Sequence, residues 1–436
     1  MPRRPHAVIG FVVAIVVATV AACAPGPDAT PDTSPTVAGP ASSTTPLPTP
    51  RPTPGHEVYG YVPYWEMDEA IAAHVRATDL TTLALFSVTN TRTGALDTKQ
   101  VGYRRIVGDV GRQLIREARE RGVRVELVFT SFGRERNDGF FADRELQDAT
   151  IASLADLVGD LGLDGVNVDV EGLDTLQVSA YGAFVGRLGD ALASADPADR
   201  VSAATQASLG GAAMAAAAAQ AGADRVFLMG YDYRVNGSEP GAIAPLERRD
   251  GEEKDLVWSL DLYEALGVPV ERTLLGLPLY GRVWPVTDPL LGAPATGRGE
   301  TWVPRRNLEI LRDPSIVPTR DEIEVVELYA LASDGSSYPP PSMPAASPSP
   351  GATPAGPGAT PSASAGSPDP ATPSASPDDR TWRAVYIDSP ATLAPKLAQA
   401  NERGLAGAGF WAIGYERGLP DYTDLIARFA AGEPMR

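Results

Sequence analysis

Asn167, Asp169 and Glu171 occupy alternate positions in LGLDGVNVDVEGL, residues 161–173, with Val166, Val168 and Val170 interleaved. A strand sends successive side chains to opposite faces, so the amide and two carboxylates share one face and the valines the other. Polar neighbours on that face have Cα atoms roughly 6.6 Å apart. If the face is enclosed, two carboxylates this close cannot both ionise comfortably, and at least one is driven to keep its proton near neutrality. A retained proton is what a general acid for a glycosidic oxygen needs, and Glu171, nearest the strand's end, is the candidate. A half-exposed strand with a solvated face has the same period, so spacing alone leaves both readings open.

Other chemistries have few residues to draw on. The 436-residue chain has three histidines, His6, His56 and His74, and one cysteine, Cys23. A His/Cys metal site, which takes three or four ligands, cannot be assembled from them, and no metal is expected. A Ser-His-Asp triad would depend on His74, in a polar helix-like stretch. The net charge of -18 argues against nucleic acid, whose phosphates call for basic stripes. No GxGxxG follows the first strand candidate, and no cofactor is expected.

The polar row must be held by the elements around it. Short apolar runs at 57–62, 80–88, 123–130, 165–172, 201–207, 225–232, 273–281 and 407–414 read as strands. Amphipathic stretches lie between them. One covers 101–121 and stops at Gly122; another covers 390–403, with Ser389 as N-cap and Pro390 in the first turn. Strand–helix alternation implies right-handed βαβ crossovers and an α/β fold. Eight repeats suggest a (β/α)8 TIM barrel, with a doubly wound open sheet as the alternative. Barrel chemistry sits at the strands' C-terminal ends. These read Tyr64-Trp65, Phe86-Ser87, Ser131-Phe132-Gly133, Asp169-Val170-Glu171, Gln206, Tyr231-Asp232-Tyr233, Tyr280-Gly281-Arg282 and Trp411. Aromatic faces with polar tips around a few carboxylates suit sugar rings.

The N-terminus reads as a targeting segment. Arg3 and Arg4 precede the apolar run 7–22, which is short for a membrane span of ~20 residues. Residues 24–55 and 333–379 are rich in Pro, Ser, Thr and Ala and are expected to be disordered, the first as a linker and the second as a loop. Residues 380–436 are too few for a confident core of their own and contain one more helix–strand–helix unit. The long loop is therefore placed inside an insertion, 283–388, after the seventh strand, with strands expected at 323–331 and 381–388. The catalytic domain then spans 56–436.

The stretch Asp164-Gly165-Val166-Asn167-Val168-Asp169-Val170-Glu171 resembles the D-G-x-[DN]-x-D-x-E signature of glycoside hydrolase family 18. Three further stretches are similar to family motifs and stand in family order: Met229-Gly230-Tyr231-Asp232, Leu277-Pro278-Leu279-Tyr280-Gly281-Arg282 and Gly409-Phe410-Trp411. The resemblance runs from about Tyr59 to Phe429. It implies a (β/α)8 barrel that cleaves β-1,4-linked N-acetylglucosamine glycans with retention, the substrate's own acetamido group serving as nucleophile. By resemblance, Glu171 is the acid/base, Asp169 orients the acetamido N–H, and Tyr231 bonds the acetamido oxygen. Asp232 and Trp411 hold the sugar. Tyr64, Gln206, Met229, Tyr280 and Arg282 complete the expected binding set, with Asp164 and Asn167 in support. Val20-Ala21-Ala22-Cys23 resembles the lipobox of bacterial lipoproteins, so segment 1–23 is expected to end in lipidation at Cys23. That would place an exported protein on the outer face of the cell membrane, and a monomer is expected.

Two departures stand out. Many chitinases of the family carry Asp where this chain has Asn167, and their S-x-G-G reads Ser131-Phe132-Gly133-Arg134 here. Chitin-type oligomers, peptidoglycan and N-glycan cores remain open as substrates. A lectin-like, non-catalytic glycan-binding lipoprotein is the alternative from another class.

Overall fold

The computed structural model describes residues 55–332, together with 381–435. The signal and lipobox at 1–23 with Cys23, the linker up to residue 54, and the loop 333–379 lie outside the described residues. Among the described residues no helix is long and apolar enough to cross a membrane.

Among the described residues thirteen strands occur, of which eight close a parallel barrel. The chain first lays down β1 (Glu57–Pro63), β2 (Thr82–Val88), β3 (Arg124–Phe132), β4 (Gly165–Glu171), β5 (Arg200–Gln206), β6 (Arg225–Met229) and β7 (Thr273–Pro278). It leaves the barrel for β8 (Gly281–Val286), β9 (Glu300–Trp302), β10 (Thr319–Asp321), β11 (Val326–Ala332) and β12 (Trp382–Ile387), then returns as β13 (Gly407–Trp411). The barrel order is β1-β13-β7-β6-β5-β4-β3-β2, which selects the TIM barrel over the open sheet.

Each of the eight expected strands forms, but three stop three residues early. β6 ends at Met229, β7 at Pro278 and β13 at Trp411. At β7 the cause is a reversal: Gly281 opens β8, which runs antiparallel to β12 in a second sheet. Arg282 therefore belongs to the insertion and not to a barrel strand. The amphipathic stretch 101–121 is two helices, Val101–Ile106 and Asp109–Glu120, because Gly108 between them is extended (φ -79, ψ -179). The helix Pro390–Glu402 forms as expected, with Ser389 and Thr392 completing a capping box.

The insertion holds more structure than the two strands expected. It is a five-stranded antiparallel sheet, ordered β10-β11-β12-β8-β9. Val283, Trp302, Tyr329, Val385 and Ile387 form an apolar cluster of its own. Three of its strands escape the sequence pattern because β9 and β10 have only three residues each and β8 runs on directly from the seventh-strand stretch.

β4 is buried on both faces from Gly165 to Val170, so its polar row is not a solvated edge. Val166, Val168 and Val170 join the large core shared with the helices. Inside the barrel, Tyr59, Tyr61, Phe86 and Phe227 fill the space with Ala84, Val128, Ala204 and Leu274. Phe227 fits only because two facing strands carry glycine. A Cβ at Gly276 would lie 2.3 Å from its ring, and one at Gly409 would lie 2.5 Å away.

Candidate active site

Registration of β3, β4 and β5 stacks the interior polar side chains into a column. Val128 and Ser202 flank Asn167; Thr130 and Ala204 flank Asp169. At the base, the buried Glu126 carboxyl accepts hydrogen bonds from Tyr59 (2.7 Å) and Ser202 (2.5 Å). Asn167 donates to Ser202 (2.8 Å) and accepts from the Tyr61 hydroxyl (3.1 Å). The neutral amide is thus bonded on both sides: its NH2 feeds Ser202, its oxygen takes the Tyr61 proton. An ionised side chain at 167 could not donate to Ser202 in this way.

Above this column lies a cavity of about 230 Å³ at the C-terminal mouth of the barrel. Its lining is Tyr61, Phe86, Phe132, Asp169, Glu171, Ala204, Met229, Tyr231, Asp232, Tyr280 and Trp411. Trp411 stands edge-on to Phe86, with centroids 4.7 Å apart, and tilts against Tyr61 at 5.5 Å. The result is an aromatic wall beside the two carboxylates.

Asp169 is buried, and among the described residues its Oδ1 has no hydrogen-bond partner. Burial, and then the charge of Glu171, push its carboxyl well above the usual range. Glu171 is also raised, chiefly by burial; the Gln206 amide, donating to Oε2 at 2.7 Å, pulls the other way, and the charge of Asp232 adds to the rise. The pair therefore titrates as a unit displaced upward. The Glu171 backbone is fixed from outside the cavity. Its carbonyl accepts from the Asn137 side chain (2.7 Å), whose own oxygen accepts from Ser131 (2.7 Å).

Past the end of β6, Asp232 adopts a left-handed backbone (φ 58), a conformation that Asp tolerates better than most residues. One carboxylate oxygen, Oδ1, accepts from Tyr280 (2.8 Å) and from Arg282 (2.7 Å). The insertion thus reaches the site through Arg282, although no residue of 283–388 lines the cavity.

Of the expected site residues, Asp169, Glu171, Met229, Tyr231, Asp232, Tyr280 and Trp411 line the cavity. Gln206 and Arg282 bond residues that do. Asn167 lies one layer below, in the column. Asp164 sits at the far end of β4, where Oδ2 accepts from the Val125 N–H at 2.8 Å. Tyr64 is a miss. β1 ends at Pro63, and Tyr64–Glu66 is a 3-10 turn, so strand alternation no longer sets direction. Tyr64 packs toward the helix Val101–Ile106, where a Cβ on Gly102 would lie 3.2 Å from its ring. Trp65 instead meets the aromatic wall, 5.8 Å from Phe86 and 6.2 Å from Trp411. Nothing in the sequence singles out Tyr61, Glu126 or Ser202. Each lies inside an ordinary-looking strand, and only the register between strands joins them.

Comparison with known proteins agrees with this fold. The family model described as Glycosyl hydrolases family 18 matches residues 57–416. No curated protein matches the sequence closely enough to count as a relative. Among solved structures, a chitinase from Cycas revoluta in complex with (GlcNAc)3 superposes with a TM-score of 0.63 at 18% identity, over 86% of this chain and 99% of that one. A family 18 N-acetylglucosaminidase from Paenibacillus barengoltzii gives 0.62 at 16% identity, over 86% and 99%. The spore cortex-lytic enzyme SleL of Bacillus cereus gives 0.60 at 17% identity, over 85% and 74%. At these identities the structures speak for the fold, and the family rests on the model match over most of the chain. The chain belongs to glycosyl hydrolase family 18 and is a glycosidase with the family's barrel.

Proposed function

We propose that the cavity binds an N-acetylglucosamine unit of a β-1,4-linked glycan and cleaves its glycosidic bond with retention, by substrate assistance. The observation that carries this reading is the Asp169 Oδ1. It is a buried acceptor without a protein donor, beside an acid, Glu171, whose carboxyl burial pushes upward. An acetamido N–H supplies the donor that the atom lacks.

Glu171, protonated, gives its proton to the leaving oxygen as the C–O bond breaks. The acetamido carbonyl oxygen attacks the anomeric carbon and forms an oxazolinium ion. With the pair's proton on Glu171, Asp169 accepts the acetamido N–H as a carboxylate, and its charge stabilises the cation that develops. Tyr231 donates to the acetamido oxygen and orients it. Glu171, now ionised, takes a proton from water as that water opens the ring, restoring the acid. No carboxylate of the enzyme forms a covalent bond, so the scheme is one of the exceptions to the two-carboxylate pattern. Trp411 offers the sugar an apolar face, and Asp232, fixed by Tyr280 and Arg282, offers its hydroxyls an acceptor. The presence of both acids favours catalysis over a lectin-like role.

Hydrolysis of an aryl N-acetyl-chitobioside by the wild type and Glu171→Gln tests the reading. Glu171→Gln should lower kcat by about 10²–10⁴-fold. The de-acetylated analogue should be inert with either protein. Equal rates for the two proteins, or turnover of the de-acetylated substrate at a comparable rate, would remove the mechanism.

A further inference from the structure

Trp65 is 43% exposed, yet its orientation is fixed from two directions. Its indole N–H donates to the Tyr415 hydroxyl at 3.0 Å. The next residue, Glu66, is fully buried, and each of its carboxylate oxygens meets a different arginine. Oε1 accepts from Arg305 at 2.7 Å, and Oε2 accepts from Arg417 at 2.9 Å. Arg305 lies in the insertion, in the turn Pro304–Arg306, and its backbone N–H also donates to the Tyr415 carbonyl (2.8 Å). Arg417 follows β13 and bonds Asp68 as well, at 2.6 Å. Three chain segments remote in sequence therefore converge on one carboxylate, in the residue that follows one exposed indole.

Burying an acid costs several kcal/mol unless cations and hydrogen bonds repay it in good geometry. A simple turn after β1 does not require such an arrangement. What the turn carries is Trp65, whose edge continues the wall of Phe86 and Trp411 from the cavity toward solvent. An exposed indole on a loop loses contact energy if it samples several rotamers, and fixing it beforehand lowers that cost.

We propose that Glu66, with Arg305 and Arg417, is a positioning clamp that holds Trp65 as an outer aromatic platform, giving the enzyme a preference for longer glycans over short ones. The inference rests on the glycan-hydrolase reading above. The clamp also gives the insertion a role, since through Arg305 it sets the cleft's reach without lining the cavity.

The test compares KM and kcat for an aryl chitobioside and an N-acetylglucosamine hexamer. Trp65→Ala should raise KM for the hexamer about tenfold, with KM for the short substrate moving less than about twofold. Glu66→Gln should raise the same KM in the same direction while kcat stays within about twofold, and it should add little in the Trp65→Ala background, since both act through one contact. Tyr415→Phe deletes only the acceptor of the indole N–H. It should show a smaller shift of the same kind, and it covers the case in which Glu66→Gln fails to fold. Equal KM changes for both substrates, full additivity with Trp65→Ala, or lost stability with an unmoved KM ratio would overturn the clamp. If the wild type hydrolyses neither substrate, the glycan-hydrolase reading fails instead. The clamp is then read by acrylamide quenching of tryptophan fluorescence, which Glu66→Gln must increase by freeing Trp65; unchanged quenching overturns it.

Discussion

Buried acids in this protein fall into two groups. Outside the barrel lumen each fully buried acid has a basic partner, whereas the half-buried Glu327 accepts from Ser389 and Tyr329. Glu66 meets Arg305 and Arg417, Glu324 meets Arg234 at 2.7 Å, Asp321 meets Arg249, Asp388 meets Lys396, and Glu416 meets the His74 ring. Inside the lumen the pattern reverses. Among the described residues, Glu126, Asp169 and Glu171 have no ion pair, and the hydrogen bonds that Glu126 and Glu171 accept come from neutral groups: Tyr59, Ser202 and Gln206. A cation beside a buried carboxyl opposes the rise that burial causes and ties elements together. Neutral donors leave it raised and able to exchange a proton. Location in the fold thus separates acids that join segments from acids that handle protons.

The largest effect should come from breaking a paired site. Lys396 is fully buried, and Asp388 opens the connection between β12 and the helix that carries the lysine. Lys396→Met should cost about 3–5 kcal/mol in urea unfolding at pH 7, because it strands the Asp388 charge. Burial already raises the Asp388 carboxyl, with Lys396 and Thr392 opposing. Without the lysine it rises further, so the penalty is absent below the unfolded carboxylate range and grows as pH climbs through the folded value. The deficit should therefore shrink near pH 4, and Asp388→Asn added to Lys396→Met should recover much of it at pH 7. A pH-independent loss, or no loss, would break the division between the two groups.

Asp169→Asn probes the other group and should have opposite signs for activity and stability. The charge that stabilises the oxazolinium is gone, so kcat should fall about 10²–10³-fold. Asp169 is raised in the folded state, so its burial penalty is absent at low pH and accumulates as pH rises through the folded value. The neutral amide escapes that penalty. Thermal unfolding at pH 8 should show a variant at least as stable as the wild type, with the difference vanishing near pH 4. A variant less stable at pH 8 would mean that Asp169 also holds the barrel together.

The same division explains what is legible in the sequence. Short apolar runs suffice for the eight barrel strands, and alternation puts Asp169 and Glu171 on one face because one strand carries both; their roles come from the family resemblance. Glu126, Ser202 and Tyr61 come from three strands, and only the register of the closed barrel brings them to Asn167. The Glu66 clamp joins partners 239 and 351 residues away, which no local pattern encodes. Tyr64 departs from expectation for a local reason: the strand yields to a 3-10 turn one residue too soon, and Trp65 takes the place by the cleft.

The finest distinction is within the unpaired group itself, between an acid with one neutral donor and the same acid with none. Gln206 donates to Glu171 at 2.7 Å and so favours its ionised form, opposing the rise that burial causes. Removing that donor with Gln206→Ala should raise Glu171 further, keeping the acid protonated to higher pH. The basic limb of kcat/KM should then move upward, modestly, since the amide is solvent-exposed and its bond is correspondingly weakened. The direction separates two roles for the amide. If Gln206 serves only to touch substrate, KM rises and the limb stays in place. If it tunes the acid, the limb moves even where KM does not, and a limb that moves downward contradicts both the hydrogen bond's sign and the assignment of Glu171 as the group that must hold the proton.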